Sequence, residues 1–583
     1  MLNFRTFARR FAWPLWPWYA GGLLFLAATN LITVEIPQLA KAITNSVGQT
    51  RPGEDLLDTA MIIIALGLAQ FLTRSLSRIL TFWPGRSLEA HSKTELFAHT
   101  IRLPRSFLDR FGTGDLISRL SNDLGNLRVF FAFGVLQLFN LLFLTAFTVT
   151  QMFATNPRLT LVCLCPLILM VVLTRFVMPR LQKYNRLGQE ALGRLTNRVT
   201  EAFVNVHVIQ ANGSEEAFAR GTEIEANEVY HTNVKIVAIR TVFFPLITML
   251  TAISQVLILF YGGAEVLAGR LTVGDILAFN IYLTALAFPL TSIGMILAMY
   301  QRGKTALERL NVLDEAAEET ARDDLDPGSA AGTTPPPLLE VRHLSFGYPG
   351  QTEHGAGTRP VTALKDISFT MREGQKTGLF GPVGSGKSTL FNLLTRIYDP
   401  PPGTIFWKGR DILTMEPGVL RREVSYALQS VHLFSDTIEE NLRFGIEPPP
   451  PRPVLEQAAA TAHILDEIHH FSQGWETEIG EKGIRLSGGQ KQRLALARYF
   501  LRNPGLLLLD DVLSAVDQRT EKGLIDSIHS RGTATIIASH RASALQLCDE
   551  ILMLRDGMLE DQGSWAELAV RHPVLREEQD GDL

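Results

Sequence analysis

The residues best suited to chemistry form a glycine-rich loop in the second half of this 583-residue chain. Residues 381–388 read GPVGSGKS and have the spacing G-x-x-x-x-G-K-[ST], between a strand-like run and a helix-like run. Glycines let backbone N–H groups converge on phosphate oxygens, and a following helix N-terminus adds partial positive charge. Lys387 is expected to contact the β- and γ-phosphates, and the Ser388 hydroxyl to bind Mg²⁺. The candidate triphosphate-binding residues are Gly381, Gly384, Ser385, Gly386, Lys387, Ser388 and Thr389.

Two consecutive carboxylates follow an apolar run further along the chain. Residues 506–509 are four leucines, which are typical of a parallel strand buried on both faces. Asp510 ends this run and is suited to the metal side of a phosphoryl-transfer site. Asp511 comes next, where a carboxylate that activates water is expected. The two motifs together predict hydrolysis of a nucleoside triphosphate with Mg²⁺.

The elements that must position these residues fall into two halves of different hydropathy. A helix needs about 20 predominantly apolar residues to cross a bilayer. We predict six such spans, at about 14–32, 57–80, 130–153, 159–178, 242–267 and 276–299. Lys and Arg are concentrated before the first span and in the second-to-third and fourth-to-fifth connections, which predicts a cytoplasmic location for both termini. Because Gly and Pro are sparse in these connections, we expect helices that extend beyond the membrane.

An acidic stretch and a Pro- and Gly-rich stretch separate the two halves. The expected organisation is a transmembrane domain over 1–312, a solvated linker over 313–337 and a nucleotide-binding domain over 338–583. The net charge of −4 gives no basic field for nucleic acid as a partner. Three cysteines exclude a disulfide scaffold.

The second half resembles the nucleotide-binding domain of ATP-binding-cassette (ABC) transporters of the exporter type. The run 486–490, LSGGQ, resembles the signature motif of that family, and it follows the phosphate loop in the family's order. The resemblance implies that the signature residues face the γ-phosphate of ATP bound to a second chain. It also implies a base-stacking aromatic, a glutamine near Mg²⁺, an aspartate between the two chains and a histidine at the γ-phosphate. These implied site residues are Ser487, Gly488, Gly489, Gln490, Tyr348, Gln429, Asp517 and His540.

The first half is similar to the membrane domain of the same family. Residues 107–123 and 208–216 resemble its two cytoplasmic connections, each with a coupling helix. The implied fold is an α-helical six-span transmembrane domain followed by an α/β P-loop nucleotide-binding domain with a helical subdomain. Six spans and one nucleotide domain make a half-transporter, so the resemblance implies a second half-transporter as partner.

One residue departs from the family pattern. The family usually has Glu after the metal-side aspartate, whereas this chain has Asp511. Its side chain is one methylene shorter, and a general base must reach its proton directly or through one water. Because a misplacement of about 1 Å can cost about 10²-fold in rate, we expect slow hydrolysis at this site. We favour a heterodimer whose other chain supplies the competent glutamate; the alternative is a homodimer in which backbone shifts let Asp511 work.

The expected function is ATP-driven export or flipping of amphipathic small molecules or lipids by alternating access. The expected location is the inner (plasma) membrane, with the lipid bilayer and a second half-transporter as partners and with ATP and Mg²⁺ bound. An ATP-gated channel or regulatory membrane protein on the same scaffold is the alternative. A soluble ABC ATPase acting on nucleic acid is excluded by the predicted spans.

Overall fold

A computed structural model describes residues 4–46, 54–322, 336–348, 361–480, 486–512, 518–573 and 575. The described residues form two compact units. The first unit consists of those up to Ile101 and from Thr113 to Ala316, and the second of Arg102–Gly112 and those from Ala317 onwards. The predicted linker begins inside a helix that ends at Asp314, and its residues 323–335 lie outside the described part of the chain.

The first unit is helical throughout its described residues. Its long helices are Trp16–Ser46, Glu54–Thr100, Val135–Thr155, Pro157–Val204, Glu215–Leu257, Val273–Thr291 and Ile293–Asp314. Its shorter α-helices are Phe4–Phe7, Thr113–Ser118, Leu124–Val129, Val206–Ala211 and Gly263–Leu267. Trp13–Leu15 forms a 3₁₀ turn, and π-helical turns span Ala8–Ala12, Arg119–Asp123, Phe130–Gly134 and Ile258–Gly262.

Five helical stretches are long and apolar enough to cross a membrane, and they contain the first five predicted spans. They are Phe4–Ser46, Asp58–Thr100, Thr113–Thr155, Pro157–Val204 and Glu215–Leu267. The sixth predicted span, 276–299, corresponds to a shorter apolar helix, Val273–Ala287. That apolar stretch is part of the helix Val273–Thr291, and the next helix begins at Ile293. A count of six spans is therefore not confirmed in the described part of the chain.

Helices extend beyond the spans, as the scarcity of Gly and Pro in the long connections predicts. Pro157–Val204 has 48 residues and Glu215–Leu257 has 43. At a rise of about 1.5 Å per residue, each is roughly twice as long as the hydrocarbon core is thick, or longer. The short helix Thr113–Ser118 lies within the first predicted coupling region, 107–123, and the short helix Val206–Ala211 overlaps the second, 208–216.

A close polar joint connects the first long helix to the helix that begins at Val273. Lys41 Nζ lies 2.6 Å from Asp275 Oδ1, and the Asp275 side chain is only 6% exposed. Asn45 accepts a hydrogen bond from the Gly274 amide at 3.1 Å. A Cβ added at Gly274 would lie 2.5 Å from the Lys41 carbonyl oxygen. Glycine is therefore required for the helices to approach this closely.

The second unit contains two β-sheets. Its strands are β1 Leu339–Tyr348, β2 Val361–Met371, β3 Lys376–Phe380, β4 Ile405–Trp407, β5 Arg410–Asp411, β6 Val424–Ala427, β7 Leu506–Asp510, β8 Ala534–Ala538, β9 Glu550–Arg555 and β10 Met558–Gly563. One sheet has the order β10-β9-β3-β8-β7-β6, and all its neighbours are parallel except β9 and β10. Every residue of β3, β7 and β8 is buried, and β7 confirms the buried strand predicted from the four leucines at 506–509.

The other sheet is antiparallel, in the order β2-β1-β4-β5. The helices of the second unit cover the parallel sheet and form a separate helical group around 438–502. They are Arg105–Leu108, Lys387–Leu394, Ile412–Thr414, Pro417–Glu423, Ile438–Arg443, Arg452–Thr461, Leu465–His470, Gly474–Glu476, Gly488–Arg502, Gln518–Ser530, Ala542–Leu545 and Trp565–Arg571. This is the α/β unit with a helical part that the sequence predicts.

A substitution at Gly274 tests the close joint in the first unit. Gly274→Ala places a methyl group against the Lys41 backbone, and overpacking of this kind costs about 1–3 kcal/mol. We expect a lower midpoint of thermal unfolding for the full chain in detergent. The matched control is Gly263→Ala, because nothing lies within 4 Å of a Cβ at that position. A Gly274→Ala protein as stable as the control would contradict the close approach.

Candidate active site

The glycine-rich loop connects β3 to the helix Lys387–Leu394. Gly381 has φ +157°, and a Cβ there would lie 2.1 Å from the Leu554 carbonyl oxygen of β9. Gly386 precedes the helix with φ +104°, in the left-handed region, and a Cβ there would lie 2.6 Å from Leu364 Cδ2. The loop therefore folds tightly against neighbouring strands only with glycine at these two positions.

The Lys387 ammonium lies within the loop. Its Nζ donates hydrogen bonds to the carbonyl oxygens of Gly381 at 2.5 Å and Pro382 at 3.1 Å. Burial lowers the pKa of Lys387, while the charges of Asp510 and Asp511 oppose this shift. These contacts hold the ammonium group inside the loop, where the β- and γ-phosphates of a nucleotide are expected.

Asp510 ends β7 and its carboxylate joins two hydroxyl groups. Ser388 Oγ donates to Asp510 Oδ2 at 2.7 Å, and Tyr426 Oη donates to the same oxygen at 3.0 Å. Asp510 is 4% exposed. Carboxylate and hydroxyl oxygens are hard ligands that suit Mg²⁺, so the donor set of Ser388 and Asp510 fits the predicted ion.

Tyr426 is a site residue that the sequence reasoning missed. It lies in β6, paired with Leu508 of β7, two residues before the metal-side aspartate. Burial beside Asp510 raises the pKa of Tyr426, so its hydroxyl stays a donor. A tyrosine in the short strand VSYA is the only local signal. It becomes informative once β6 and β7 are known to be neighbours.

Asp511 has an unusual backbone conformation. Its φ is +49°, in the left-handed region, which aspartate tolerates better than most residues. Its amide donates to the Ala538 carbonyl oxygen at the end of β8, at 2.9 Å. Burial raises the pKa of Asp511, and the nearby His540 is the largest opposing influence. The sheet therefore fixes the position from which this short carboxylate reaches into the site.

A single cavity of about 210 Å³ brings most of the predicted residues together. Its lining includes Gly384, Ser385, Gly386, Lys387, Ser388, Thr389, Gln429, Asp510, Asp511 and His540. Gly381 lies at the base of the loop. Tyr348 reaches the edge of the site, where its hydroxyl donates to Thr389 Oγ1 at 3.1 Å. Phosphate-binding, carboxylate and histidine groups thus share one space, as hydrolysis requires.

The signature residues lie apart from this cavity. Ser487 caps the helix Gly488–Arg502: its amide donates to the Gln490 side chain at 2.9 Å, and the Gln490 amide donates to the Ser487 hydroxyl at 3.3 Å. Ser487 and Gly488 are exposed. None of the four signature residues, all of which the structure describes, lines the cavity. Asp517 lies outside the described residues.

Comparison with known proteins covers nearly the whole chain. Residues 19–290 match the family model "ABC transporter transmembrane region", and residues 364–514 match "ABC transporter". A probable multidrug resistance ABC transporter ATP-binding/permease protein, YheI of Bacillus subtilis, is 33% identical over 97% of this chain and 95% of its own length. The ATP-dependent lipid A-core flippase of Yersinia pestis is 28% identical over 98% and 97%.

A solved structure has a similar fold. The structure of a bacterial Atm1-family ABC exporter with ATP bound aligns with a TM-score of 0.80 and 26% identity. The alignment covers 97% of this chain and 99% of the other. The sequence and structural matches therefore include both the helical unit and the unit that carries the cavity.

Replacing Tyr426 tests its contact with Asp510. Tyr426→Phe removes one of the two donors that orient the carboxylate, and loss of a group that orients a metal ligand typically costs 10–100-fold in metal affinity or activity. We expect about 10-fold more Mg²⁺ for half-maximal nucleotide hydrolysis. Tyr230→Phe is the matched control, because Tyr230 is exposed in the helical unit. An unchanged Mg²⁺ requirement would contradict the orienting role.

Proposed function

This chain belongs to the ABC transporter family, and from that premise we propose that it is one half of an exporter. It would couple ATP hydrolysis to export or flipping of an amphipathic small molecule or lipid. The observation that carries this proposal is the shared cavity of phosphate loop, paired aspartates and histidine, in a chain whose described residues include five helices suited to a membrane. The similarity to a multidrug transporter and to a lipid flippase supports the substrate class.

The residues of the cavity have distinct proposed roles. Lys387 and the loop N–H groups hold the β- and γ-phosphates, and Ser388, Asp510 and Gln429 hold Mg²⁺, which supplies charge neutralisation when bound. His540, at the carboxyl end of the same sheet, donates to the γ-phosphate. Their shared cavity supports these roles, because charge on the transferring phosphoryl group is best stabilised by donors already in place.

The adenine-binding tyrosine and the signature motif of the second chain complete the proposed site. Tyr348, at the end of β1, lies where an adenine ring can stack on it. The exposed N-terminus of the helix Gly488–Arg502, with Ser487 as its cap, offers N–H groups and a helix dipole to the γ-phosphate of a partner. Asp517 belongs to the same proposed interface. Exposure of the signature on this chain supports a dimer in which each chain completes the other's site.

Asp511 makes this chain's own site slow in the proposed cycle. Its carboxylate falls short of the glutamate position by about one C–C bond, and misplacement of about 1 Å costs about 10²-fold. The hydrogen bond from the Asp511 amide to the Ala538 carbonyl oxygen and the left-handed backbone of Asp511 leave little room for the backbone to shift and compensate. We therefore favour a heterodimer in which the intact signature of this chain serves a faster partner site.

Alternating access would connect the two units. ATP must bind the closed dimer more tightly than the open one, because a ligand shifts an equilibrium only by its differential affinity.

We propose a location in the inner (plasma) membrane with both termini in the cytoplasm, from the distribution of Lys and Arg. Purification from native membranes should recover a second, distinct half-transporter.

Transport assays of a Lys387 variant test the proposed exporter. Lys387→Ala removes the cation from the phosphate loop, and loss of one such electrostatic contact costs about 10²–10³-fold in turnover. We expect ATP hydrolysis and uptake of fluorescent lipids or dyes into inverted vesicles to fall together. Lys408→Ala is the control, since Lys408 is half exposed and pairs with Glu423. Movement of a solute only down its own concentration gradient, without ATP hydrolysis, would support the ATP-gated channel instead.

A longer side chain at position 511 tests the slow site. Asp511→Glu restores the missing methylene, so we expect about 10-fold or more faster ATP turnover at this site in the complex purified with its partner. Asp511→Asn serves as control, because it keeps the length of aspartate and removes the base. Slower turnover in the Glu variant than in the original chain would show that Asp511 is already well placed.

A further inference from the structure

Tyr398 lies between two parts of the second unit that are distant in sequence. Its ring meets the Tyr348 ring edge-on, with centroids 5.1 Å apart and an interplanar angle of 88°. Its hydroxyl donates a hydrogen bond to the Asp109 carboxylate. Asp109 belongs to Arg102–Gly112, the chain segment between the helices Glu54–Thr100 and Thr113–Ser118.

Tyr348 is oriented by contacts on several sides. Its hydroxyl donates to Thr389 Oγ1 at 3.1 Å, next to the phosphate loop. The Phe346 ring meets it edge-on at 5.3 Å, and Phe346 also lies 6.2 Å from the Tyr398 ring. Edge-to-face contacts of this kind are favourable beyond the burial of the rings, because the positive ring edge meets the negative ring face. Tyr398 differs from the other two partners because it also binds Asp109.

The contact with Asp109 is charge-assisted and persistent. Arg105 Nε lies 2.7 Å from Asp109 Oδ1, which leaves Oδ2 directed to the Tyr398 hydroxyl. Burial and the adjacent carboxylate raise the pKa of Tyr398 to about 12, so the hydroxyl remains a donor throughout the physiological range. Hydrogen bonds to charged groups are stronger than those between neutral groups.

The segment that carries Asp109 is also attached at its beginning. The Arg102 carbonyl oxygen accepts a hydrogen bond from the Glu319 amide at 3.1 Å, and Arg421 Nη1 lies 2.8 Å from the Glu319 carboxylate. Arg322 donates through its amide to the Leu413 carbonyl oxygen at 2.8 Å. The segment is therefore part of the packed second unit, and Asp109 presents a fixed acceptor.

We infer that Tyr398 is a positioning residue for adenine binding: its ring orients Tyr348, and the hydrogen bond from its hydroxyl to Asp109 fixes that ring. The inference rests on the proposed function, in which Tyr348 is the base-stacking residue.

Equilibrium binding to the full chain in lipid nanodiscs tests the inference with two probes, Mg²⁺–ADP and inorganic triphosphate. Tyr398→Phe keeps the ring and loses the hydroxyl, and Asp109→Asn removes the charge of the acceptor. We expect each to raise the Kd for Mg²⁺–ADP about 3- to 10-fold, and to change the Kd for triphosphate less than 2-fold. The double variant should lose no more affinity for Mg²⁺–ADP than either single variant, because both substitutions break the same hydrogen bond between Tyr398 and Asp109.

Two further variants separate positioning from general damage. In a Tyr348→Leu background, Tyr398→Phe should not raise the Kd for Mg²⁺–ADP further, since the aromatic ring that Tyr398 orients is absent. Arg110→Gln, an exposed neighbour of Asp109, should leave both affinities unchanged. Equal weakening of both probes, additivity in the Tyr348→Leu background, or an unchanged Kd for Mg²⁺–ADP would each overturn the inference. Failure of the proposed function differs, because the unaltered chain would then bind neither probe.

Discussion

Parallel strands end at the same edge of a sheet, and the active site depends on this constraint. β3 and β7 lie on either side of β8, so the loop after β3, the aspartates after β7 and the histidine after β8 meet at one edge. The hydrogen bond from Ser388 to Asp510 joins residues 122 positions apart in sequence. All five residues of each of these strands are buried, so the edge is anchored in the core.

The sequence predicts what local chemistry determines. The phosphate loop and Asp510 are recognisable because glycine, lysine and a strand-ending carboxylate must occur at fixed spacing. Tyr426 and Tyr398 are not recognisable, because their roles depend on which strand lies beside β7 and on a contact across 289 positions.

The signature motif and the cavity residues are held in place by different kinds of stabilisation. The capping box of Ser487 and Gln490 is complete within one helix, so the motif needs no contact with the cavity to keep its shape. The cavity residues depend on the sheet. Asp511 depends on both the sheet and its local conformation. Its amide is fixed by a hydrogen bond to the end of β8, and its left-handed backbone is a local feature of the residue itself. One chain therefore carries a surface motif that is complete within its own helix and a cavity whose second carboxylate is the short side chain of Asp511.

The discontinuity of the second unit has a consequence for biosynthesis. Asp109 emerges from the ribosome 289 residues before Tyr398, which at about 5–20 residues per second is a delay of roughly 15–60 s. During this interval the segment Arg102–Gly112 has no α/β unit to pack against, while the later membrane helices are inserted. Completion of the second unit must therefore wait for release of distal sequence. A fragment expressed from Ala317 onwards would lack the segment Arg102–Gly112 and its contacts with the rest of the second unit. Measurements on such a fragment would therefore not describe the complete second unit.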